Sequence, residues 1–412
     1  MGKDKFSPLM GTFQSSKKEP FYSWYPYLEG YSPDYVEAIL DEFMPHAKTI
    51  LDPFAGTVTT GYVASRLNIK SYYCEINPVL QFIADVKSKV RKLDLEKRIE
   101  TSEQLDEISK NLKDKIRNCD EDCFLKETYY KVFQESTYFQ EQNFRDILSS
   151  KTFLNELKSY SILNSDIVKV AILSSLVPSS LLKRAGDLRY KTEKEVEKGI
   201  PDFNDTLEDK LKSLKEDIVK EETQLPISPI LICGSAFNLK KIPNLKLDGV
   251  ITSPPYVNGT NYIRNTKLEL WYLGCLREKK DLKYLREKSL TAGINSVNGE
   301  YSSPDVESVR KVVNELEKKA YDNRIPKMIS GYFSELQEIF FYIRKHLNDD
   351  SLLAIDIGDS KYAGVLVPTD KLLVDSLREI KYNYIETIKL RDRYSNDGTP
   401  LKQVLLIFSK GD

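Results

Sequence analysis

Apolar residues recur along this chain with two different periods, and the changes between them divide it. Residues 33–44, PDYVEAILDEFM, space their apolar positions at three and four behind a Ser-Pro start, with Ser32 placed to cap a helix and Pro33 to open it. KTILDPFAG reads as a short buried strand entering a glycine turn, TTGYVASRLN as a helix, and KSYYCEINP as a second strand ending in an acid. That succession is the first half of a nucleoside-binding unit. From about 79 to 222 the pattern is helical and densely charged, as in IETSEQLDEISKNLKDKI. Apolar strands return in SPILICGSAFN and LKLDGVITSPPY. After a mixed stretch at about 275–327 come an amphipathic helix, GYFSELQEIFFYIRKHL, a strand, SLLAIDIGD, and a helix near Thr369–Glu379. The closing pair, YIETIKLRDR and KQVLLIFSK, is joined by the turn-rich SNDGTP and predicts an antiparallel hairpin at a sheet edge.

The order predicts an α/β fold: a Rossmann-like sheet with a C-terminal antiparallel hairpin and a large, mostly helical insertion. Composition narrows the function classes. At 412 residues and 41% hydrophobic, the chain can hold a substantial core, and it has no apolar run of membrane-spanning length. The first twenty residues are polar and carry no signal-peptide segment, so no membrane role is expected. Five sparse cysteines predict reduced thiols and a cytoplasmic location. Cys119 and Cys123 are four apart, but with two histidines in the chain and no second cysteine pair no metal site is expected. A net charge of −1 gives no global field for nucleic acid, so any such contact must come from local clusters.

One stretch carries chemistry. In DGVITSPPYVNGTNY, Pro254 and Pro255 fix two successive φ angles and remove two N–H donors, leaving a rigid turn rich in acceptors beside the Tyr256 ring. Such a turn suits a flat ligand bearing an amino group. Taken with DPFAG upstream, it resembles the amino-group DNA methyltransferases, which move methyl from S-adenosylmethionine to cytosine N4 or adenine N6. The catalytic signature is matched by Ser253-Pro254-Pro255-Tyr256 and the cofactor signature by Asp52-Pro53-Phe54-Ala55-Gly56, followed by Thr59 and Thr60. Val58 stands where the pattern has a second glycine, so the turn there is expected not to need positive φ. The segment holding Tyr27 resembles the part that packs on the methionine end of the cofactor. Glu75 falls where an acid binds the ribose hydroxyls, and Ser235 and Ala236 lie in the next cofactor segment, where Ser235 replaces the usual acid.

The resemblance implies a class I methyltransferase core with S-adenosyl-L-methionine as cofactor. It divides the chain into a cofactor-binding first half (1–89), a helical insertion that could recognise DNA (90–224), a catalytic part (225–274), a smaller insertion that could contact DNA (275–327) and the C-terminal half of the core (328–412). It also implies double-stranded DNA as substrate, with the target base flipped out, and a cognate restriction endonuclease or defence-system proteins as partners. Ser253 Oγ and the Pro254 carbonyl can accept the two N–H bonds of an exocyclic amine, and the Tyr256 ring, rather than its hydroxyl, is the part expected to matter, by stacking on the base. Cytosine C5 chemistry would need a Pro-Cys pair, and the chain has none. A leading Ser is more often the cytosine-N4 form; adenine N6, an RNA amino-methyltransferase and a non-catalytic cofactor-binding subunit stay open.

Phosphate contacts are expected from two basic stretches, 182–194 with Arg184, Arg189 and Lys191, and 264–288 with Arg264 and Lys267. Gly186 among the first of these suggests a loop aimed at something. Tyr262, Trp271 and Tyr272 read as core, Asp356 and Asp359 as strand-end acids near a turn, and His46 and His346 as ordinary surface or helix-end residues.

Overall fold

Ser32 and Pro33 do open a helix, Pro33–Phe43, in which the Ser32 hydroxyl accepts the Tyr35 N–H at 3.3 Å. The computed structural model describes residues 6–27, 29–221, 224–243, 245–297, 305–395 and 397–411. Numbering only the strands of the main sheet, these are β1 (Thr49–Asp52), β2 (Lys70–Cys74), β3 (Ile230–Cys233), β4 (Leu247–Thr252), β5 (Leu347–Gly358), β6 (Asn383–Tyr394) and β7 (Pro400–Ser409). They lie in the order β6-β7-β5-β4-β1-β2-β3. The five strands from β3 to β5 pair in parallel, while β7 runs antiparallel between β5 and β6. The fold is therefore α/β with a Rossmann-like sheet and a C-terminal antiparallel pair, as the sequence pattern predicts.

The chain leaves β1 to build one side of the sheet through β2 and β3, then returns to the other side of β1 as β4. The ends of β1 and β4 thus flank the crevice where strand order reverses, which is where open α/β sheets bind ligands. One sheet face packs on the helices Glu307–Lys319, Arg324–Arg344 and Thr369–Glu379, and the other on Pro33–Phe43 and Thr59–Arg66. Gly249 lets the first helix sit close to the sheet, since a Cβ there would run into Met44 Sδ. His346 is not a surface residue: it is buried, its Nδ1 accepting the Leu245 N–H at 3.2 Å and its Nε2 facing the Leu239 carbonyl at 3.4 Å.

Between β2 and β3 the chain forms a helical block around Ile162–Leu176, a helix buried along most of its length. The apolar core of this block is not confined to residues 90–224. It also takes in Phe21, Trp24 and Tyr25 from near the N-terminus, and Leu268, Leu270, Trp271, Tyr272 and Leu276 from the segment after the Pro-Pro turn. On the helix Phe203–Lys220, Asp217 Oδ2 accepts the Phe21 N–H and the Trp24 Nε1–H, both at 3.1 Å, and the Ser23 hydroxyl at 3.4 Å. Asp217→Ala would leave two buried donors without an acceptor and should lower unfolding free energy by about 1–3 kcal/mol. Chemical denaturation measures this, and an unchanged midpoint would mean that the N-terminal segment is held by its rings alone.

Candidate active site

At the end of β1, Asp52 is 2% exposed and works as a junction. Its Oδ1 accepts the Thr252 hydroxyl from the end of β4 at 2.7 Å and the Phe54 N–H at 3.1 Å, and its Oδ2 accepts the Tyr31 hydroxyl at 2.9 Å. The Tyr31 hydroxyl also bonds Thr60 Oγ1. Burial raises the Asp52 carboxyl above its ordinary range, and these donors pull it back. Asp52 and Thr60 therefore brace the wall of the crevice from behind, while Pro53, Phe54, Ala55, Gly56 and Thr59 line it.

Gly56 has φ +55°, and a Cβ there would come within 2.8 Å of Tyr27 Cε1, so the turn and the aromatic ring fit each other only through glycine. Its N–H donates to Glu75 Oε2 at 2.7 Å, and the Asn77 N–H donates to Oε1 at 2.7 Å. Burial pushes the Glu75 carboxyl up to about 7 against those two bonds. Val58 corrects an expectation. It sits in the left-handed region at φ +65°, ψ +34°, wholly buried, with its Cγ1 over Gly61. The turn does require positive φ, and a β-branched residue holds it at a strain of about 1–3 kcal/mol. Ser235 and Ala236 line the facing wall, where the Ser235 hydroxyl donates to the Lys288 carbonyl at 2.9 Å.

Ser253, Pro254, Pro255 and Tyr256 line the same cavity, which has a volume of about 310 Å³. The Tyr256 N–H, the first donor after two prolines, goes to the Tyr262 hydroxyl at 3.0 Å. The Tyr256 hydroxyl donates to Asp356 Oδ1 at 2.6 Å. The guanidinium of Arg393, on β6, lies 5.1 Å from the Tyr256 ring centroid, in a space kept by Gly358, where a Cβ would strike Arg393. The arrangement can hold a nucleoside-like ligand on Gly56 and Glu75 beside a flat, amine-bearing ring on the Pro-Pro turn.

Two curated relatives share most of the chain. The type II methyltransferase M.BsoBI of Geobacillus stearothermophilus is 27% identical over 96% of this chain and 85% of that protein. The type II methyltransferase M.AvaI, from a Nostoc species and from Anabaena variabilis, is 26% identical over 92% of this chain and 83% of that protein. Over most of its length the chain is similar to type II methyltransferases. No family model matches it. A solved rRNA methyltransferase, aviRa from Streptomyces viridochromogenes, superposes at a TM-score of 0.29 with 9% identity, over 93% of this chain and 86% of that one, too weakly to carry an argument.

Of the residues expected at the site, those of the Asp52–Gly56 turn, Glu75 and the Ser253–Tyr256 turn converge on one cavity or brace its wall, and the cations do not. Arg184 is not a surface residue. It is ion-paired with the wholly buried Glu269, donates to the Tyr25 hydroxyl at 2.7 Å and lies 5.1 Å from the centre of that ring. Lys267 is also buried, with Nζ 3.8 Å from the Tyr138 ring centroid, and burial lowers its pKa. Neither is free for a phosphate. Lys191 donates to the carbonyls of Pro178 and Ser180 at 3.0 and 2.6 Å, and Arg189 pairs with Glu195 at 2.8 Å while still partly exposed. Arg264 is exposed, next to the cavity-lining Ile263.

The expected loop at Gly186 is the tip of a hairpin, Leu182–Ala185 with Asp187–Tyr190, and Gly186 lines the cavity. Asn265 bonds the Gly186 carbonyl and the Leu188 N–H, both at 2.8 Å, and Asp187 accepts the Asn261 N–H at 3.0 Å. The helical block thereby reaches the catalytic turn. Sequence reasoning missed Glu29, Asn261, Arg391, Arg393 and Gln403 as lining residues and read Tyr262 as core. It also read Asp356 as a strand-end acid, although an aspartate between two isoleucines in a buried strand was a usable signal.

A carboxyl whose folded pKa, about 7 for Glu75, lies above its ordinary 4.5 stabilises the fold fully below that ordinary value. The contribution is lost as pH rises through the folded pKa. The wild type should therefore lose stability relative to Glu75→Gln between about pH 5 and about pH 8. Denaturation midpoints of both proteins across that range test it, and a difference that does not vary with pH would show that Glu75 ionises normally.

Proposed function

We propose that this protein is a DNA methyltransferase that modifies an exocyclic amino group of a base swung out of the duplex, most specifically cytosine N4, with S-adenosylmethionine as donor. The observation that carries the reading is the Thr252–Asp52 hydrogen bond at 2.7 Å, which fixes the end of β4, and so the Ser253–Tyr256 turn, against the end of β1 and its Gly56–Glu75 pocket. The donor set fits the cofactor. Glu75 offers a buried carboxylate to two ribose hydroxyls, the glycine at φ +55° keeps the floor of the pocket open, and Tyr27 and Phe54 supply apolar walls. When bound there, S-adenosylmethionine supplies an electrophilic methyl group on sulfur.

The chain has to orient a poor nucleophile, since the lone pair of a base amine is delocalised into its ring. Ser253 Oγ and the Pro254 carbonyl accept its two N–H groups and favour positive charge as it develops on nitrogen, and the Tyr256 ring holds the base in plane. Cytosine N4 is preferred over adenine N6 because the signature opens with Ser253, the form that the resemblance associates more often with cytosine. A role beside a restriction endonuclease or defence system follows from the same reading, as the relatives' type II designation suggests.

Transfer of radiolabelled methyl to unmethylated plasmid, bulk tRNA and a blank without nucleic acid tests the substrate class, and digestion of the product to nucleosides tests the base. Label in plasmid recovered as N4-methylcytosine is the expected result; N6-methyladenine would move the target, and label in tRNA alone would overturn the DNA reading. Ser253→Ala should slow single-turnover transfer by about tenfold or more with DNA affinity little changed, because its bond strengthens only as charge develops. If both Ser253→Ala and Tyr256→Ala transfer methyl at the wild-type rate, the Pro-Pro-Tyr segment is only a stiff turn.

A further inference from the structure

The ring of Tyr256 is held at its backbone N–H, its hydroxyl and one face, and the hydroxyl partner lies two strands away from the catalytic motif in the chain. Asp356, 1% exposed on β5, receives that hydroxyl on Oδ1. Its carboxylate is in turn oriented by Gln403 of β7, whose Nε2 donates to Oδ1 at 2.9 Å and Oδ2 at 3.1 Å. The Gln403 amide cannot turn over freely, because its Oε1 accepts the Arg391 Nε–H at 2.7 Å. From Arg391 through Gln403 and Asp356 to Tyr256, each donor and acceptor fixes the next.

We propose that Asp356 is a positioning residue for methyl transfer: it sets the plane of the Tyr256 ring before a base arrives. The inference rests on the proposed function, in which that ring stacks on the base. Arg393 lies over one face of the ring, which leaves the other face for a base to stack on. A ring free to rotate about χ1 or χ2 would carry a stacked base away from the Ser253 acceptor, and the hydroxyl bond to a buried, doubly anchored carboxylate prevents this. The hydroxyl, expected from sequence to be dispensable, thus acts as a fastening.

The test compares the wild type with Tyr256→Phe, Asp356→Asn, Asp356→Leu and the double variant Tyr256→Phe/Asp356→Leu. The measurements are single-turnover methyl transfer to plasmid, S-adenosylmethionine affinity by calorimetry, and thermal midpoint. Tyr256→Phe and Asp356→Leu should each slow transfer by about tenfold or more with cofactor affinity unchanged. Asp356→Asn should recover most of the rate, because its amide oxygen still accepts the hydroxyl. The double variant should be no slower than the slower single one, since both remove the same bond. Losses that multiply in the double variant, or an Asp356→Asn as slow as Asp356→Leu, would make Asp356 a structural residue and overturn the proposal. So would a wild-type rate in Tyr256→Phe, which decides the matter even if Asp356→Leu does not fold. A wild type that methylates no nucleic acid would instead bring down the function itself, and this inference with it.

Discussion

The two halves of the site meet at paired strand ends that one side-chain hydrogen bond fastens. Thr252 closes β4 and Asp52 closes β1, and their contact at 2.7 Å sits where the strand order of the sheet reverses. Everything chemical in the molecule leaves from these two residues: the glycine turn and Glu75 pocket on one side, the Pro-Pro-Tyr turn on the other. Asp52 is deeply buried, and the bonds donated by Thr252, Tyr31 and the Phe54 N–H offset the cost of burying its carboxyl. The bond is therefore also a means of making a buried carboxylate tolerable.

Around that junction, rigidity is obtained by close backbone fit more than by charge. Gly56 fits under Tyr27, Gly249 under Met44 and Gly358 under Arg393, and at each a Cβ would collide with the neighbouring side chain. Val58 is the opposite case, a bulky residue forced into a glycine's conformation and kept there because its side chain is wholly buried. The strain falls beside the Gly56–Glu75 pocket, where small errors of position would be felt most.

What the sequence could disclose was set by how local each cause is. The strands, the Ser32 cap and the Asp52–Gly56 turn are written in neighbouring residues, and they appear where the pattern puts them. The cations misled because their partners are distant in the chain: nothing near Arg184 announces Glu269, and nothing near Lys267 announces Tyr138. Val58 misled because side-chain type argues against positive φ, while tertiary packing imposed it. Asp356 was legible in part, as an acid in an apolar strand, but its partners are distant in the chain, Tyr256 in the turn after β4 and Gln403 on β7.

The composition of the helical core has a consequence for how the protein is made. That core needs Phe21, Trp24 and Tyr25 from before the insertion and Leu268 to Leu276 from after it. During synthesis the insertion emerges complete while a share of its interior is still inside the ribosome. β4, the strand that supplies Thr252, emerges only shortly before that last piece. The helical layer and the catalytic junction must therefore close together and late, through contacts of large sequence separation, so the nascent chain passes through a long period with apolar helices exposed. Until Leu268 to Leu276 arrive, that intermediate is the form of the chain most exposed to aggregation.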